Sequence, residues 1–566
     1  MDTESPQRTL KSFLPILSWL PNYQTGWLRG DVIAALTIWA LLVPEAMAYA
    51  GIAGLPPAMG LYAIPLALIA YAILGSSRHL NVGPSSAVAA LSFTVVSGLA
   101  IVGSDEFVLY SIALAFVVGI MLIVASLLRL GILADFLSRP VLDGFIVGVA
   151  VSIAVGQLDK LLGFKPLELR FVPDILVIAS DIGMTHIPTL VVGAISLGLL
   201  FVMHRFTPKL PGAIIVLFLA IFTSSLLDFE GMGIHIVGEI PAGLPPFGIP
   251  EALKISDLLA VAPGAIGVAL VAFAESVAIA RSVGIKFGYE VDANQELVAL
   301  GAANLGSGFS GGFTGNGSLS RTSAGTQAGA NSQMVSLIAA AAILITAVAL
   351  TPLFFNLPEA TLGAIVIHAV WHNINYRRIS RYLGITNLDF VTSLIAAIGV
   401  LALGALEGLL IASFLGLMVL LLGTKKRNTS ALGKIPGSDI FRSLENYPEG
   451  ETYPGLLILR FDGTLFFANA PDFIIAAREA YRKMTPPPRV VIIDGESINE
   501  IDATAVFTLK ELSDEMARSG VELWFAAVKT RVRDVMVRAN LEEAIRPEHF
   551  YASIQDGVDD FLKHHA

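Results

Sequence analysis

Long apolar stretches separated by short polar segments occupy the first three quarters of the chain. A helix that crosses a bilayer needs about 17–25 mostly apolar residues. Fourteen stretches approach that length, near residues 31–50, 58–76, 84–99, 107–128, 138–158, 186–204, 211–227, 257–280, 291–307, 318–329, 333–352, 358–375, 387–404 and 406–423. The pattern therefore predicts a polytopic α-helical protein with about 14 spans in a lipid bilayer.

Spans three and ten are short, and both begin in small or helix-breaking residues. Span three opens at Gly83-Pro84-Ser85-Ser86, and span ten opens at Gly315-Asn316-Gly317-Ser318. Such breaks are tolerated at membrane depth where protein or a water-filled cavity surrounds the freed backbone groups. We therefore predict that these two spans are half-helices that start inside the membrane.

Two halves of this region repeat each other. Glu45 in the first half corresponds to Glu275 in the second half at an offset of 230 residues. The two breaks lie about 232 residues apart, which is nearly the same offset. Seven spans separate each pair of landmarks, and an odd number of spans per repeat forces an inverted topology. The prediction is a 7+7 inverted repeat, and paired broken helices in such repeats indicate a transporter's binding site.

Charge divides the chain into domains. Of the 82 charged residues, 36 lie in residues 439–566, whereas 14% of the whole chain is charged and 55% is hydrophobic. We predict a cytoplasmic N-terminal segment (1–30), a transmembrane domain (31–423), a linker (424–438) and a soluble domain (439–566). The net charge of −10 leaves no basic footprint for nucleic acid.

Lys and Arg are biased to one side of the membrane, which sets the orientation. Loops on the side of both termini carry most of them: Arg78, Arg129, Arg139, Arg205, Lys209, Arg281, Lys286, Arg377, Arg378, Arg381 and Lys425–Arg427. We expect an integral protein of the plasma (inner) membrane with both termini and the soluble domain in the cytoplasm.

The soluble domain alternates strand and helix patterns, which predicts a small α/β fold. Strands are predicted near Gly455–Phe461, Thr464–Ala468, Arg489–Asp494 and Val521–Ala526. Helices are predicted near Pro471–Met484, Ala503–Arg518, Thr530–Ala539 and Ile554–Lys563.

A dehydrated anion needs hydrogen-bond donors and positive potential, and half-helix N-termini supply both. The candidate anion site is Ser85, Ser86 and Ala87 on span three with Ser318, Leu319 and Ser320 on span ten. The alternative is that Gly and Pro only kink packed spans. Arg321 follows one turn into span ten, either as a fixed cation near the anion or as a side chain that snorkels to the membrane face.

Glu45 and Glu275 are acids in apolar surroundings. A buried carboxyl can take up a proton near neutral pH, so either acid is a candidate for coupling transport to H⁺. A Glu275 carboxylate with backbone oxygens is also a candidate Na⁺ site. The alternative is a neutral structural acid or an ion pair with Arg321. We expect no other metal and no other cofactor.

These runs resemble the sulfate permease (solute carrier 26) family: Val43–Pro57, Gly75–Arg78, Gly83–Ser85 and Ser318–Thr322. The resemblance covers nearly the whole chain. It implies a core domain that moves against a gate domain in elevator-type alternating access, a homodimer, and a cytoplasmic sulfate transporter and anti-sigma-factor antagonist (STAS) domain. Many relatives carry Gln where this chain has Glu45, which favours an ionisable first span.

The segment Asp502-Ala503-Thr504-Ala505 resembles the Asp-x-Ser-Gly turn of STAS domains, whose Ser or Thr is phosphorylated in anti-sigma-factor antagonists. Ala505 replaces the Gly. Asp502 and Thr504 are therefore candidate regulatory residues, and the alternative is a capped helix in a domain that docks a cytoplasmic protein or supports a dimer.

The expected function is secondary-active transport of a small anion (sulfate, bicarbonate or a dicarboxylate), coupled to H⁺ or Na⁺. The chain has no Walker A sequence, which argues against an ATP-driven pump. We expect a transporter and not an enzyme. The alternatives are an anion channel, an uncoupled anion exchanger, or a membrane-tethered regulatory protein that acts through its STAS domain.

Overall fold

The computed structural model describes residues 13–131, 138–163, 171–207, 212–371, 374, 376–405, parts of 407–418, and 429–565. The chain divides into two compact units, Met1–Gly416 and Leu417–Ala566. The first unit is built from helices and the second from a sheet covered by helices.

Thirteen of the predicted spans contain a helix. They are α1 Leu28–Ile52, α2 Pro57–Leu74, α3 Ser86–Ser97, α4 Asp105–Leu127, α5 Arg139–Gly156, α6 Ile187–Phe206, α7 Gly212–Leu227, α8 Ile255–Phe287, α9 Ala293–Phe309, α10 Leu319–Ala328, α11 Met334–Phe354, α12 Glu359–Trp371 and α13 Asn387–Leu403. Shorter helices lie at Ile16–Trp19, Thr25–Trp27, Leu158–Leu162, Phe171–Asp181, Ile182–Met184, Tyr376–Ser380 and Arg381–Gly384. The fourteenth predicted span, 406–423, falls largely outside the described residues.

Short length together with a preceding break identifies the half-helices, because α7, α12 and α13 are also shorter than 18 residues but do not follow either of the two predicted breaks. Within the described residues, seven helices are long and apolar enough to cross a membrane: α1, α2, α4, α5 with its extension to Leu162, α6, α8 and α11. By contrast α3 has 12 residues and α10 has 10, against the roughly 20 that a bilayer requires. The prediction of two half-helices is confirmed.

Helix packing shows the inverted repeat. Helix α1 packs against α10 and α11, and its counterpart α8 packs against α3 and α4. Likewise, α2 packs against α11, and its counterpart α9 packs against α4, the counterpart of α11. Helix α5 packs against α13, and its counterpart α12 packs against α6, the counterpart of α13. Each half therefore packs its helices against the other half, which confirms the 7+7 arrangement over the thirteen helices described.

A two-stranded antiparallel ladder joins the breaks that precede the half-helices. Strand β1 (Val82–Gly83) pairs with β2 (Asn316–Gly317), with Val82 opposite Gly317 and Gly83 opposite Asn316. The backbones approach closely, because a Cβ on Gly315 would lie 2.8 Å from the carbonyl group of Gly83. Small residues at the crossing thus let both half-helices begin at one place.

Small residues also set the packing of α4 against α9. A Cβ on Gly119 would lie 2.8 Å from the carbonyl oxygen of Gly301. In the same way, a Cβ on Gly301 would lie 2.8 Å from the carbonyl oxygen of Gly119. Helices in membranes associate through such close backbone approach, because apolar lipid offers no hydrophobic driving force between them.

The second unit is a six-stranded sheet in the order β4-β3-β5-β6-β7-β8. Its strands are β3 Thr429–Lys434, β4 Phe441–Ser443, β5 Leu456–Phe461, β6 Val490–Asp494, β7 Glu522–Ala526 and β8 Phe550–Tyr551. Strands β5 to β8 are parallel, and β3 is antiparallel to β4 and β5. Helices α14 Ala470–Lys483, α15 Ala503–Arg518, α16 Thr530–Arg538 and α17 Leu541–Ile545 share one apolar core, and α18 Ile554–His565 packs in a second.

Two predictions about this unit need correction. The segment 424–438, predicted as a linker, contributes β3, which pairs on both sides and so belongs to the sheet. The strand predicted at Thr464–Ala468 is wrong. The Asn469 side chain donates to the Thr464 carbonyl and accepts from the Phe466 N–H, which folds this segment into a turn.

Candidate functional site: the paired half-helix N-termini

Helix α3 begins at the break as predicted. Ser85 is its N-cap, in an extended conformation, and its hydroxyl accepts from the Val88 N–H at 3.5 Å. The first N–H groups of a helix have no acceptor within the helix. Ser86 and Ala87 hold those positions, so their N–H groups are the donors that this end offers.

Helix α10 begins in the same way. Ser318 is its N-cap and accepts from the Arg321 N–H at 3.4 Å, and its hydroxyl lies 3.0 Å from that of Ser320. Leu319 and Ser320 provide the first N–H groups, and Leu319 is half exposed. The Ser318 N–H donates to the Asn81 carbonyl at 2.9 Å, which ties this N-terminus to the strand that leads to α3.

Arg321 is completely buried, so it does not snorkel to a membrane face. Its Nε donates to Asn81 Oδ1 at 2.9 Å, and its Nη1 donates to the Pro84 carbonyl at 2.9 Å. Nη1 also lies 3.2 Å from Glu45 Oε2 in an ion pair. A side chain of α10 thus holds the break before α3 and helix α1 together.

The Arg321–Glu45 pair changes the electrostatics expected from the sequence. Of the three possibilities left open for Glu45, a proton-coupling acid, a neutral structural acid and a partner of Arg321, the structure shows the contact with Arg321, and proton coupling stays a prediction. A paired carboxylate compensates the guanidinium charge, so the field at the half-helix ends depends on whether Glu45 carries its charge. Arg321 Nη2 has no hydrogen-bond partner among the described residues, and a Cβ on Gly83 would lie 3.5 Å from it.

Glu275 contacts the second break. Its Oε2 accepts from Asn316 Nδ2 at 2.7 Å, and the hydroxyl of the next residue, Ser276, accepts from the Gly317 N–H at 2.8 Å. The two repeated acids therefore have different partners. The asymmetry has a sequence origin, because the third residue after the N-cap is Arg321 in α10 and Val88 in α3.

Sequence reasoning missed three asparagines that shape the site. Asn81 binds Arg321, and Asn316 binds Glu275. Asn304 on α9 binds both backbone groups of Gly315, accepting from its N–H and donating to its carbonyl, each at 3.0 Å. Asn81 and Asn316 carry the weak signal of adjacency to a break, whereas Asn304 lies within a helical pattern and carries none.

In the second unit, Asp502 caps α15. Its Oδ1 accepts from the Ala505 N–H and its Oδ2 from the Phe467 N–H, both at 2.8 Å, while Thr504 is exposed in the first turn. Both carboxylate oxygens of Asp502 thus accept hydrogen bonds from the backbone around the start of α15. This geometry favours the alternative of a capped helix, and phosphorylation of Thr504 stays a prediction.

Over the residues that the structure describes, no group of three or more His, Asp or Glu side chains is placed to hold a metal ion. The Na⁺ site near Glu275 stays a prediction that would draw on backbone oxygens.

Sequence comparison matches most of the chain. The sulfate permease family matches residues 28–396, and the STAS domain matches residues 447–557. A probable sulfate transporter of Mycobacterium tuberculosis is 36% identical over 99% of this chain and 100% of that protein. The chloroplastic sulfate transporter 4.1 of Arabidopsis thaliana is 31% identical over 98% of this chain and 83% of that protein.

Two solved structures share the fold. The murine anion transporter solute carrier 26 family member A9, in its inward-facing state, has a TM-score of 0.92 at 23% identity and covers 100% of this chain and 97% of that one. The transmembrane domain of the cyanobacterial bicarbonate transporter BicA has a TM-score of 0.60 at 19% identity, over 70% of this chain and 98% of that one.

Proposed function

Because the chain belongs to the sulfate permease family, we propose that it is a secondary-active transporter of small oxyanions. The substrate class is sulfate, bicarbonate or a dicarboxylate, and the sulfate transporters among its relatives support sulfate first. The anion binds between the N-termini of α3 and α10, at Ser85, Ser86, Ala87, Ser318, Leu319 and Ser320.

One observation carries this proposal: the β1–β2 ladder brings two serine-capped half-helices together. Each N-terminus carries about half a positive charge and free N–H groups. Together they offer a dehydrated anion two sets of donors in the interior of the helical bundle. Kinks that only served packing would not require both breaks to meet at one ladder.

The ion pair between Arg321 and Glu45 supplies a coupling mechanism. While Glu45 is ionised it neutralises Arg321 and repels an incoming anion. When Glu45 takes up a proton, the Arg321 charge is no longer compensated and attracts the anion. Proton and anion then raise each other's affinity by the same factor, as linkage requires. Coupling through Na⁺ at Glu275 is the alternative form of the proposal.

Transport by alternating access follows from the inverted repeat, in which a core that carries both half-helices moves against the remaining helices. A homodimer in the plasma (inner) membrane, with cytoplasmic termini and a cytoplasmic protein partner for the STAS domain, completes the proposal. Chemical cross-linking in native membranes tests the dimer, and protease protection of the C-terminal domain tests the orientation.

Uptake by reconstituted protein tests the function. Proteoliposomes receive radiolabelled sulfate, bicarbonate, oxalate or fumarate, under an inward H⁺ gradient, an inward Na⁺ gradient or neither. We expect at least one anion to accumulate above its external concentration when one cation gradient is imposed. Uptake that only equilibrates, at rates insensitive to both gradients, indicates a channel or an uncoupled exchanger instead.

A further inference from the structure

A second buried carboxylate, away from the proposed anion site, binds a loop that leads into it. Glu296 lies in the first turn of α9 and is 0% exposed. It accepts four hydrogen bonds: from the Tyr71 hydroxyl at 2.7 Å, from the Ser76 N–H and hydroxyl at 2.8 Å each, and from the Ser77 N–H at 3.2 Å. Charge-assisted hydrogen bonds are about twice as strong as neutral ones.

The loop that Glu296 holds, residues 75–81, is tied at further points. The Ser77 hydroxyl accepts from the Leu80 N–H at 3.2 Å. Gln333, the N-cap residue of α11, donates to the carbonyls of Ser77 and Leu80, at 2.9 and 3.0 Å. The partners that fix this first-repeat loop thus come from helices of the second repeat.

The loop ends at the residue that joins both half-helices. Asn81 accepts from Arg321 Nε through its side chain and from the Ser318 N–H through its carbonyl. Its own N–H donates to Thr322 Oγ1 at 3.0 Å. Only three residues of loop separate Asn81 from Ser77, whose N–H Glu296 binds, so the position of that carboxylate sets where Asn81 lies.

We propose that Glu296 is a positioning residue for anion transport: it fixes loop 75–81 and thereby the relative placement of the α3 and α10 N-termini. It does not touch the anion. This role rests on the proposed function, since it presupposes that the anion binds between those N-termini.

The chemistry requires an acceptor without donors. A carboxylate offers two oxygens to the four donors of Tyr71, Ser76 and Ser77. In Glu296→Gln one carboxylate oxygen becomes an NH₂ group, which is a donor and cannot accept a hydrogen bond. Some of the four donor groups of Tyr71, Ser76 and Ser77 are then left without an acceptor. The side chain keeps its size, so the change removes hydrogen bonds without opening a cavity.

Asp31 provides a matched control. It is also the fourth residue of its helix (α1), is 0% exposed, and accepts from the Asn331 N–H at 2.7 Å and the Ser332 hydroxyl at 2.8 Å. The loop it holds follows the C-terminal end of α10, away from the proposed site. Asp31→Asn therefore disrupts a similar buried acceptor whose partners, Asn331 and Ser332, lie outside loop 75–81, while the neighbouring Gln333 keeps its own hydrogen bonds to that loop.

The experiment compares Glu296→Gln, Asp31→Asn and wild type as full-length protein in proteoliposomes, using sulfate as the probe or whichever anion wild type accumulates. We expect Glu296→Gln to raise the transport KM about tenfold, equivalent to about 1.4 kcal/mol, with a smaller loss of maximal rate. Asp31→Asn should keep KM within about twofold of the wild-type value. It should lower the melting temperature by about as much as Glu296→Gln does.

Amide hydrogen exchange provides a readout that needs no substrate. Exchange in residues 76–81 should accelerate in Glu296→Gln and stay at the wild-type rate in Asp31→Asn. If Glu296→Gln fails to fold, Ser76→Ala removes one of the four donors, and a smaller KM increase with faster loop exchange is expected from it.

An unchanged KM in the folded variant overturns the positioning role, and so do equal KM increases in both carboxylate variants. If wild type transports no anion, the proposed function fails. Loop exchange in the variants then still decides whether Glu296 fixes loop 75–81.

Discussion

Replacing Arg321 by Ala tests whether the buried ion pair organises the breaks. The change removes hydrogen bonds to Asn81 Oδ1, the Pro84 carbonyl and Glu45, all from a side chain that is 0% exposed. Removing one partner of a buried pair costs about 3–5 kcal/mol, because the other charge is left buried and uncompensated. We expect a loss of that size in the free energy of unfolding.

The double variant Arg321→Ala/Glu45→Gln separates charge from shape. It removes both charges, so neither is left alone, and should be more stable than the sum of the single changes by about 1–3 kcal/mol. Arg321→Lys keeps a charge but loses the planar fork that reaches three acceptors, so we expect stability between wild type and Arg321→Ala.

The assay is denaturant unfolding of the detergent-solubilised protein, followed by intrinsic fluorescence. Arg381 pairs with Asp143, and its side chain is 55% exposed, so Arg381→Ala is the control and should cost about 1 kcal/mol or less. Additive effects in the Arg321 and Glu45 variants, or a cost for Arg321→Ala no larger than for the control, would refute the reasoning.

Three further expectations concern other parts of the structure. Glu45→Gln and Glu275→Gln each mimic a neutral acid, and at least one should lose gradient-driven accumulation while still exchanging anions, as counterflow assays would show. Asn304→Ala removes both side-chain bonds to Gly315 and should raise the transport KM, with Asn331→Ala, which removes one side-chain bond to the Gly329 carbonyl after α10, as control. Burial lowers the pKa of His79, in the loop before α3, to about 4 from its usual 6.5. The unfolded chain therefore binds a proton between those values that the folded protein excludes, so stability should fall as pH drops from about 6.5 to 4. The His79→Gln variant should flatten that part of a curve of melting temperature against pH.

The half-helices were predictable because their signal is local. A short apolar stretch that opens with Gly-Pro-Ser-Ser or Gly-Asn-Gly-Ser specifies both the break and its serine cap, and the structure has Ser85 and Ser318 as N-caps. The sequence also indicated the repeat, since the two breaks lie at nearly the same offset as Glu45 and Glu275.

What sequence reasoning left open depends on contacts between distant segments. Arg321 and Glu45 are 276 residues apart, and no spacing rule links them, so an ion pair and a free cation were equally compatible with the pattern. Strand β3 was missed because Thr429–Lys434 contains Ala, Gly and Lys and has little β-propensity, and its pairing with β4 and β5 holds it in the sheet.

Locating the bound anion tests the central claim most directly. Crystals of the full-length protein soaked in selenate, a heavier analogue of sulfate, give an anomalous signal that identifies the ion. We expect one peak within hydrogen-bonding distance of the first N–H groups of both half-helices, between Ser86 and Ser320. A peak more than about two helical turns, roughly 11 Å, from both Ser85 and Ser318 would contradict the account.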